Sequence, residues 1–182
     1  MLTLILGGAR SGKTRLAQQL AAPARRVCYV ATCLPGDDPE MHRRIERHRA
    51  DRPEWWKVLE IPLALADAVE SAAPEADTIV IDCLTVWLGN LFWELRESPE
   101  GRVEDTLRAE LARIAATSHR CHAILVSNEL GCGTVPDHAL TRSFRDMHGF
   151  LNQWAAAAAD EVILVVAGLP LYLKTSHREE TR

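Results

Sequence analysis

Residues 7–14 read Gly7-Gly8-Ala9-Arg10-Ser11-Gly12-Lys13-Thr14, a G-x-x-x-x-G-K-[ST] pattern. The chemistry open to such a string is the gripping of phosphate. Its backbone N–H groups must face one point, and only a turn relieved of Cβ clashes at its glycines curls that tightly. Lys13 supplies a cation for the β- and γ-phosphates, and the Thr14 hydroxyl can ligate Mg2+. The loop follows the apolar run 2–6 and precedes the helix-forming stretch Leu16-Ala17-Gln18-Gln19-Leu20. A strand therefore delivers the chain to the loop, and a helix N-terminus closes it with the positive end of its dipole. A chance glycine-rich turn would lack both flanks. Residues 7–14 are expected to bind a nucleoside triphosphate.

The elements that must carry this loop alternate along the chain. Runs rich in Val, Ile and Leu predict strands at 2–6, 27–31, 57–61, 78–82, 123–127 and 161–166. Helical stretches fall between them at 13–22, 39–50, 63–72, 84–95, 103–118 and 139–159, punctuated by Pro74, Pro99 with Gly101, and Pro136. Unbroken apolar runs such as Thr78-Ile79-Val80-Ile81 suit strands covered on both faces. The alternation predicts an α/β fold of the P-loop NTPase type, a mostly parallel sheet flanked by helices. One domain is expected over 1–174, followed by a polar, frayed tail over 175–182. The run Ala155-Ala156-Ala157-Ala158-Ala159 reads as the end of a helix packed closely on the sheet.

Composition narrows the partners. At 182 residues, with 47% hydrophobic and 25% charged residues, the chain is one ordinary globular domain. A net charge of −4 offers no basic face to nucleic acid or to an anionic membrane. The apolar segment 162–173, broken by Gly168 and Pro170, is well short of the roughly 18 residues a membrane span needs. Met1 leads straight into a strand, leaving no room for a signal peptide. Five cysteines (Cys28, Cys33, Cys83, Cys121, Cys132) with no C-x-x-C pair suit a reducing cytoplasm rather than a disulfide framework or a zinc site.

Two further segments carry chemistry. Ile79-Val80-Ile81-Asp82 is an apolar strand ending in a carboxylate. Such an acid either steadies Mg2+ beside a P-loop or caps the helix that starts near Leu84. Residues 41–56 read Met-His-Arg-Arg-Ile-Glu-Arg-His-Arg-Ala-Asp-Arg-Pro-Glu-Trp-Trp. On a helix Arg44 and His48 share a face, as do Ile45 and Arg49, and Pro53 stops the helix. Arg44, Arg47, Arg49 and Arg52 surround His48 with positive charge, which holds the imidazole neutral near pH 7 and collects phosphate oxygens. A neutral imidazole is a competent nucleophile at phosphorus. By composition alone the same segment is an exposed basic helix with an ordinary surface histidine.

The resemblance that selects between these readings rests on several segments in order. They are the P-loop, Tyr29-Val30-Ala31-Thr32, Arg44-Ile45-x-x-His48-Arg49-x-x-Arg52-Pro53-x-x-Trp56, the strand ending at Asp82, and Asn128-Glu129-x-Gly131-x-Gly133-x-Val135-Pro136. Phe144-Arg145-Asp146 and Asn152-Gln153, leading to Ala157-Ala158-Ala159-Asp160-Glu161-Val162, agree as well. From residue 4 to about 168 the chain resembles the bifunctional adenosylcobinamide kinase/adenosylcobinamide-phosphate guanylyltransferase family of the cobalamin pathway.

The resemblance implies phosphorylation of the aminopropanol hydroxyl of adenosylcobinamide, with ATP or GTP as donor. Transfer of GMP from GTP to that phosphate would follow, releasing pyrophosphate. It implies that His48 carries GMP as a phosphoramidate and that Lys13 serves catalysis. It further implies nucleotide contacts at 7–14, at Thr32, Cys33 and Leu34, at Arg49, Ala50, Asp51 and Arg52, and at Glu60 and Asp82. Thr14 and Asp82 would hold Mg2+. Arg47 stands where some relatives have a second histidine, so no role for that neighbour carries over. A ring-like homotrimer with sites between subunits is also implied. The kinase base stays open between Asp82 and Glu129. Read without the resemblance, the same residues would also serve another small-molecule P-loop kinase or a nucleotide-dependent switch. Trp55, Trp56, Trp87, Trp93 and Trp154 are expected mostly in the core. His42, His119, His122, His138, His148 and His177 form no metal-ligand spacing.

Overall fold

Each of the six apolar runs becomes a strand in the computed structural model, which describes residues 1–33, 43, 46, 49, 52–99 and 101–175. The strands are β1 (Leu2–Gly7), β2 (Val27–Ala31), β3 (Lys57–Glu60), β4 (Thr78–Asp82), β5 (His122–Asn128) and β6 (Glu161–Val166). A seventh, β7 (Leu169–Lys174), completes one sheet in the order β3-β2-β4-β5-β1-β6-β7. The β6–β7 pair is antiparallel and every other pairing is parallel. The helices are α1 (Lys13–Ala21), α2 (Leu65–Ala72), α3 (Leu84–Glu94), α4 (Arg102–Thr117) and α5 (Ala139–Ala158). Most of the basic helix expected over 39–50, His48 included, lies outside the described residues, as does the tail beyond Thr175.

The inner strands β1, β2, β4, β5 and β6 are mainly apolar because both faces of the sheet are covered there, whereas the edge strands β3 and β7 are mostly exposed. On one face Ile5, Val80, Ile124 and Ile163 bury against Ala17 and Ala21 of α1. On the other, Leu4, Ile79, Ile81 and Leu125 meet Leu65, Val69, Leu84, Leu88, Leu107, Ile114 and Leu151 from α2 to α5. Trp87 is fully buried there, and its indole N–H donates to the Leu63 carbonyl at 2.6 Å. Trp56 is buried as well, whereas Trp55 and Trp93 are 57% and 71% exposed, so core packing accounts for only part of the tryptophan set. The alanine run ends α5 at Ala158; Ala155 and Ala159 are buried but Ala157 and Ala158 face outward, so only one side of it packs closely. Among the described residues no helix is long and apolar enough to cross a membrane.

The segment 162–173, an interrupted apolar run in the sequence, is a hairpin. Ala167 and Gly168 both take positive φ (51° and 81°), which turns the chain back on itself. Pro170 is tolerated because β7 is an edge strand. Pattern reading overlooks β7 because its apolar side chains do not face a core. Leu169, Leu171 and Leu173 are 56–72% exposed.

What the fold positions is a line of strand ends. Glu60, Ala31, Asp82 and Val126 are in register across β3, β2, β4 and β5. Gly7 and Asn128 face each other two residues further along β1 and β5. Ligands of open α/β sheets bind at this carboxyl edge.

Candidate active site

The loop after β1 is held open by its backbone. Gly12, the residue before α1, has φ 103°, and Arg10 also lies in the left-handed region at φ 57°. A Cβ on Gly7 would stand 2.5 Å from the Val165 carbonyl oxygen of β6, so only glycine fits there. The Gly168 N–H of the hairpin donates to the Ser11 carbonyl at 2.8 Å, which ties the loop to the far end of the chain. Lys13 is only 8% exposed, and its ammonium donates to the Gly8 carbonyl at 2.7 Å, folded back over its own loop. The Ser11 hydroxyl is buried with no hydrogen-bond partner among the described residues, as suits a group that a bound phosphate oxygen would meet. Gly8, Ala9 and Arg10 are exposed at the mouth.

Asp82 turns toward this loop rather than toward α3. The residue preceding α3 is Cys83, and no side chain caps that helix. One carboxylate oxygen of Asp82 accepts hydrogen bonds from the Thr14 hydroxyl at 2.9 Å and the Tyr29 hydroxyl at 2.6 Å. Two hard oxygen donors, Thr14 Oγ1 and the Asp82 carboxylate, thus converge beside the P-loop, a donor set that fits Mg2+. Burial, reinforced by the Asp82 charge, pushes the Tyr29 phenol well above its ordinary range, so it stays a donor at neutral pH. Burial and the same charge raise the Cys83 thiol to about 11, which rules it out as a nucleophile. Thr32 is fully buried: its hydroxyl donates to the Cys83 carbonyl and accepts from the Cys83 N–H, so it joins the ends of β2 and β4.

A second concavity lies beyond Tyr29. Arg49, Arg52, Trp56, Val58 and Glu60 help line a cleft of about 350 Å³. Arg49 is paired with Glu60, both half-exposed. The Arg52 guanidinium lies 4.2 Å from the centroid of the Tyr29 ring, and Trp56 stacks against that ring at 6.3 Å. The Trp56 indole N–H is buried without a partner. Of the nucleotide contacts expected from the sequence, Arg49, Arg52 and Glu60 come together here. Thr32 and Cys33 end β2 next door, while Leu34, His48, Ala50 and Asp51 lie outside the described residues.

At the end of β5 both backbone groups of Asn128 are clamped by side chains. Its N–H donates to Thr85 Oγ1 at 2.9 Å, and its carbonyl accepts from Asn152 Nδ2 at 3.0 Å. Asn152 is steadied by the Ser127 hydroxyl at 2.7 Å, and Thr85 lies 2.9 Å from His148 Nε2. Thr85 thus joins the Asn128 N–H to the His148 ring. Burial lowers the pKa of that imidazole, which favours its neutral form. The next N–H, of Glu129, donates to the Gly7 carbonyl at 2.9 Å, so the clamp sets the loop that borders the P-loop. The scattered histidines gave no hint of this; the only legible signal was the Asn128-Glu129 pair at a strand end.

Comparison with known proteins places the chain. Residues 3–173 match the model of the cobinamide kinase / cobinamide phosphate guanyltransferase family. The bifunctional adenosylcobalamin biosynthesis protein CobP of Pseudomonas aeruginosa is 47% identical over 175 residues, covering 96% of this chain and 98% of that protein. Its counterpart CobU from Salmonella typhimurium is 40% identical over 182 residues, covering 96% and 100%. CobU of Escherichia coli K12 is 38% identical with the same coverage. Among solved structures, an ATPase from the type III secretion system of pathogenic bacteria superposes with a TM-score of 0.59 at 14% identity. That match covers 90% of this chain and 51% of the ATPase, a likeness of fold alone. The family match and the near-complete overlap with three relatives agree with the paired phosphate loop and arginine cleft, and the chain belongs to the cobinamide kinase / cobinamide phosphate guanyltransferase family.

Proposed function

We propose that the chain phosphorylates adenosylcobinamide with ATP or GTP and then transfers GMP from GTP to the new phosphate through a guanylylated His48. The products are adenosylcobinamide-GDP and pyrophosphate. The observation that carries this proposal is one P-loop and one arginine cleft meeting on opposite sides of Tyr29, in a chain of this family.

In the kinase step the loop N–H groups over 7–14 and Lys13 hold the β- and γ-phosphates. The aminopropanol oxygen then attacks the γ-phosphorus as the β–γ bridge breaks and the nucleoside diphosphate leaves, and the hydroxyl proton passes to Asp82, to Glu129 or to a phosphate oxygen. Positioning and charge neutralisation supply most of the rate. Mg2+ bound by Thr14 and Asp82 would neutralise charge on the phosphate oxygens. In the guanylyl step a nitrogen of neutral His48 attacks the α-phosphorus of GTP, the α–β bridge breaks, and pyrophosphate departs. An oxygen of adenosylcobinamide phosphate then displaces the imidazole, which returns to its free form. Splitting one displacement into two gives each a good leaving group. Thr32, Cys33, Leu34, Arg49, Ala50, Asp51, Arg52 and Glu60 are the proposed contacts to the rest of the nucleotide. A reducing cytoplasm suits the five cysteines, which form no disulfide with one another.

Incubation with α-³²P-GTP and Mg2+ is the test. Label on the protein that acid removes and alkali does not is expected, and its discharge by adenosylcobinamide phosphate should yield adenosylcobinamide-GDP. Protein that takes up no such label is not a guanylyltransferase of this kind.

We also propose a homo-oligomer, a trimer by family resemblance. The exposed apolar edge of Leu169, Leu171 and Leu173 supports burial against another copy. Light scattering on the eluted protein should give three chain masses at micromolar concentration; a single chain mass would refute assembly.

A further inference from the structure

Tyr29 belongs to two environments at once. It sits on β2, 2% exposed, on the side of the sheet covered by α1. Its hydroxyl and the Thr14 hydroxyl converge on the same oxygen of Asp82, at 2.6 and 2.9 Å. Its ring is the surface on which Arg52 rests, 4.2 Å from the centroid, with Trp56 stacked alongside. A phenylalanine would satisfy the ring contacts, and a buried aromatic alone would not need a hydroxyl. A tyrosine is required only where both ends are used.

We propose that Tyr29 is a positioning residue shared by the two reactions. The hydroxyl fixes the Asp82 carboxylate facing Thr14, and the ring seats Arg52 at the mouth of the arginine cleft. The physical grounds are geometric. Asp82 has several rotamers open to it at a strand end, and two donors on one oxygen select one of them, leaving the second oxygen without need of either donor. Arg52 sits on a flexible stem, and a cation–π seat on a buried ring reduces the freedom it must lose when nucleotide binds. The two halves of Tyr29 therefore act on separable observables.

Tyr29→Phe removes only the hydroxyl. Tyr29→Met keeps an apolar filling but removes the ring. The primary readout is calorimetric binding of a non-hydrolysable GTP analogue while Mg2+ is titrated, with thermal melting as a control. Tyr29→Phe is expected to raise the half-saturating Mg2+ concentration about 3- to 10-fold. Saturating Mg2+ should restore most of its nucleotide binding, since the hydroxyl acts only through the Asp82 carboxylate. Tyr29→Met is expected to show the same Mg2+ shift and, in addition, a labelling rate at least about tenfold below that of Tyr29→Phe.

An unmoved Mg2+ dependence in Tyr29→Phe overturns the hydroxyl role, whatever happens to its melting temperature. Equal labelling rates in the two variants overturn the ring role. Where Tyr29→Met does not fold, Arg52→Gln, which removes the cation seated on the ring, takes its place: a labelling rate equal to wild type overturns the ring role. The ring half rests on the guanylylated-histidine proposal, but the Mg2+ titration does not. Wild-type protein that binds Mg2+–nucleotide and takes up no label refutes that proposal while leaving the hydroxyl role measurable.

Discussion

His48→Ala is expected to take up no label from α-³²P-GTP and to form no adenosylcobinamide-GDP, while still phosphorylating adenosylcobinamide with ATP to within about threefold of the wild-type rate. The expectation follows from the division of labour between the two segments. The residues proposed to grip the β- and γ-phosphates come from the loop after β1 and from α1, where Lys13 donates to the Gly8 carbonyl and Thr14 to Asp82. The Cys83 thiol at the end of β4, raised to about 11, stays protonated at neutral pH and is a poor substitute nucleophile. Removing a nucleophile leaves only the uncatalysed direct displacement, a loss measured in orders of magnitude. Label that persists in His48→Ala, or a kinase rate that falls in parallel, would refute the division.

Lys13→Ala should behave in the opposite manner and lose both reactions together. Its ammonium lies inside the loop that cups the phosphates, nearly removed from water, where a fixed charge acts far more strongly on a ligand than it would at the surface. Loss of about 10²- to 10³-fold in each rate is expected, roughly 3–4 kcal/mol of transition-state stabilisation. Nucleotide binding by calorimetry should weaken in step. Because Lys13 satisfies a carbonyl that water can also reach at the loop mouth, the melting temperature should fall by only a few degrees. Paired with His48→Ala, the experiment separates a cradle used twice from a nucleophile used once. Two rates that diverge in Lys13→Ala would show that the steps do not share the loop.

How legible all this was in the chain differs from residue to residue. The P-loop and the acid at Asp82 were plain because their chemistry is local: eight adjacent residues with flanking elements, and one carboxylate at the end of an apolar run. Alternating strands and helices were legible for the same reason, since a strand covered on both faces has no polar positions to confuse it. Sequence offered two roles for Asp82, helix cap or phosphate-site acid. Only the three-dimensional placement of Thr14, 68 residues away, shows which way the carboxylate turns. Tyr29 appeared as one letter of a motif, because its partners sit on β4 and in the segment before β3. The Thr85–His148 and Ser127–Asn152 clamp was hidden among polar residues with no shared spacing. The hairpin of β6 and β7 was missed because its apolar residues face outward, which breaks the link between hydrophobicity and burial on which strand prediction depends. His48 is the reverse case, carried by motif and charge pattern and lying outside the described residues.

The pairing of β1 has a consequence for how the molecule comes to exist. The strand that carries the P-loop lies between β5 and β6, and the loop itself accepts a hydrogen bond from Gly168. β1 precedes its sheet neighbours in the chain by more than a hundred residues, so the strand pairings that support the phosphate loop, and its hydrogen bond from Gly168, are all long-range. Such contacts carry a high entropic cost of closure and form late. On the ribosome, then, the glycine-rich loop is an unformed ribbon for most of translation, and a growing chain has no competence to sequester nucleotide until its final strands emerge. The first feature written into the chain is the last to become a site.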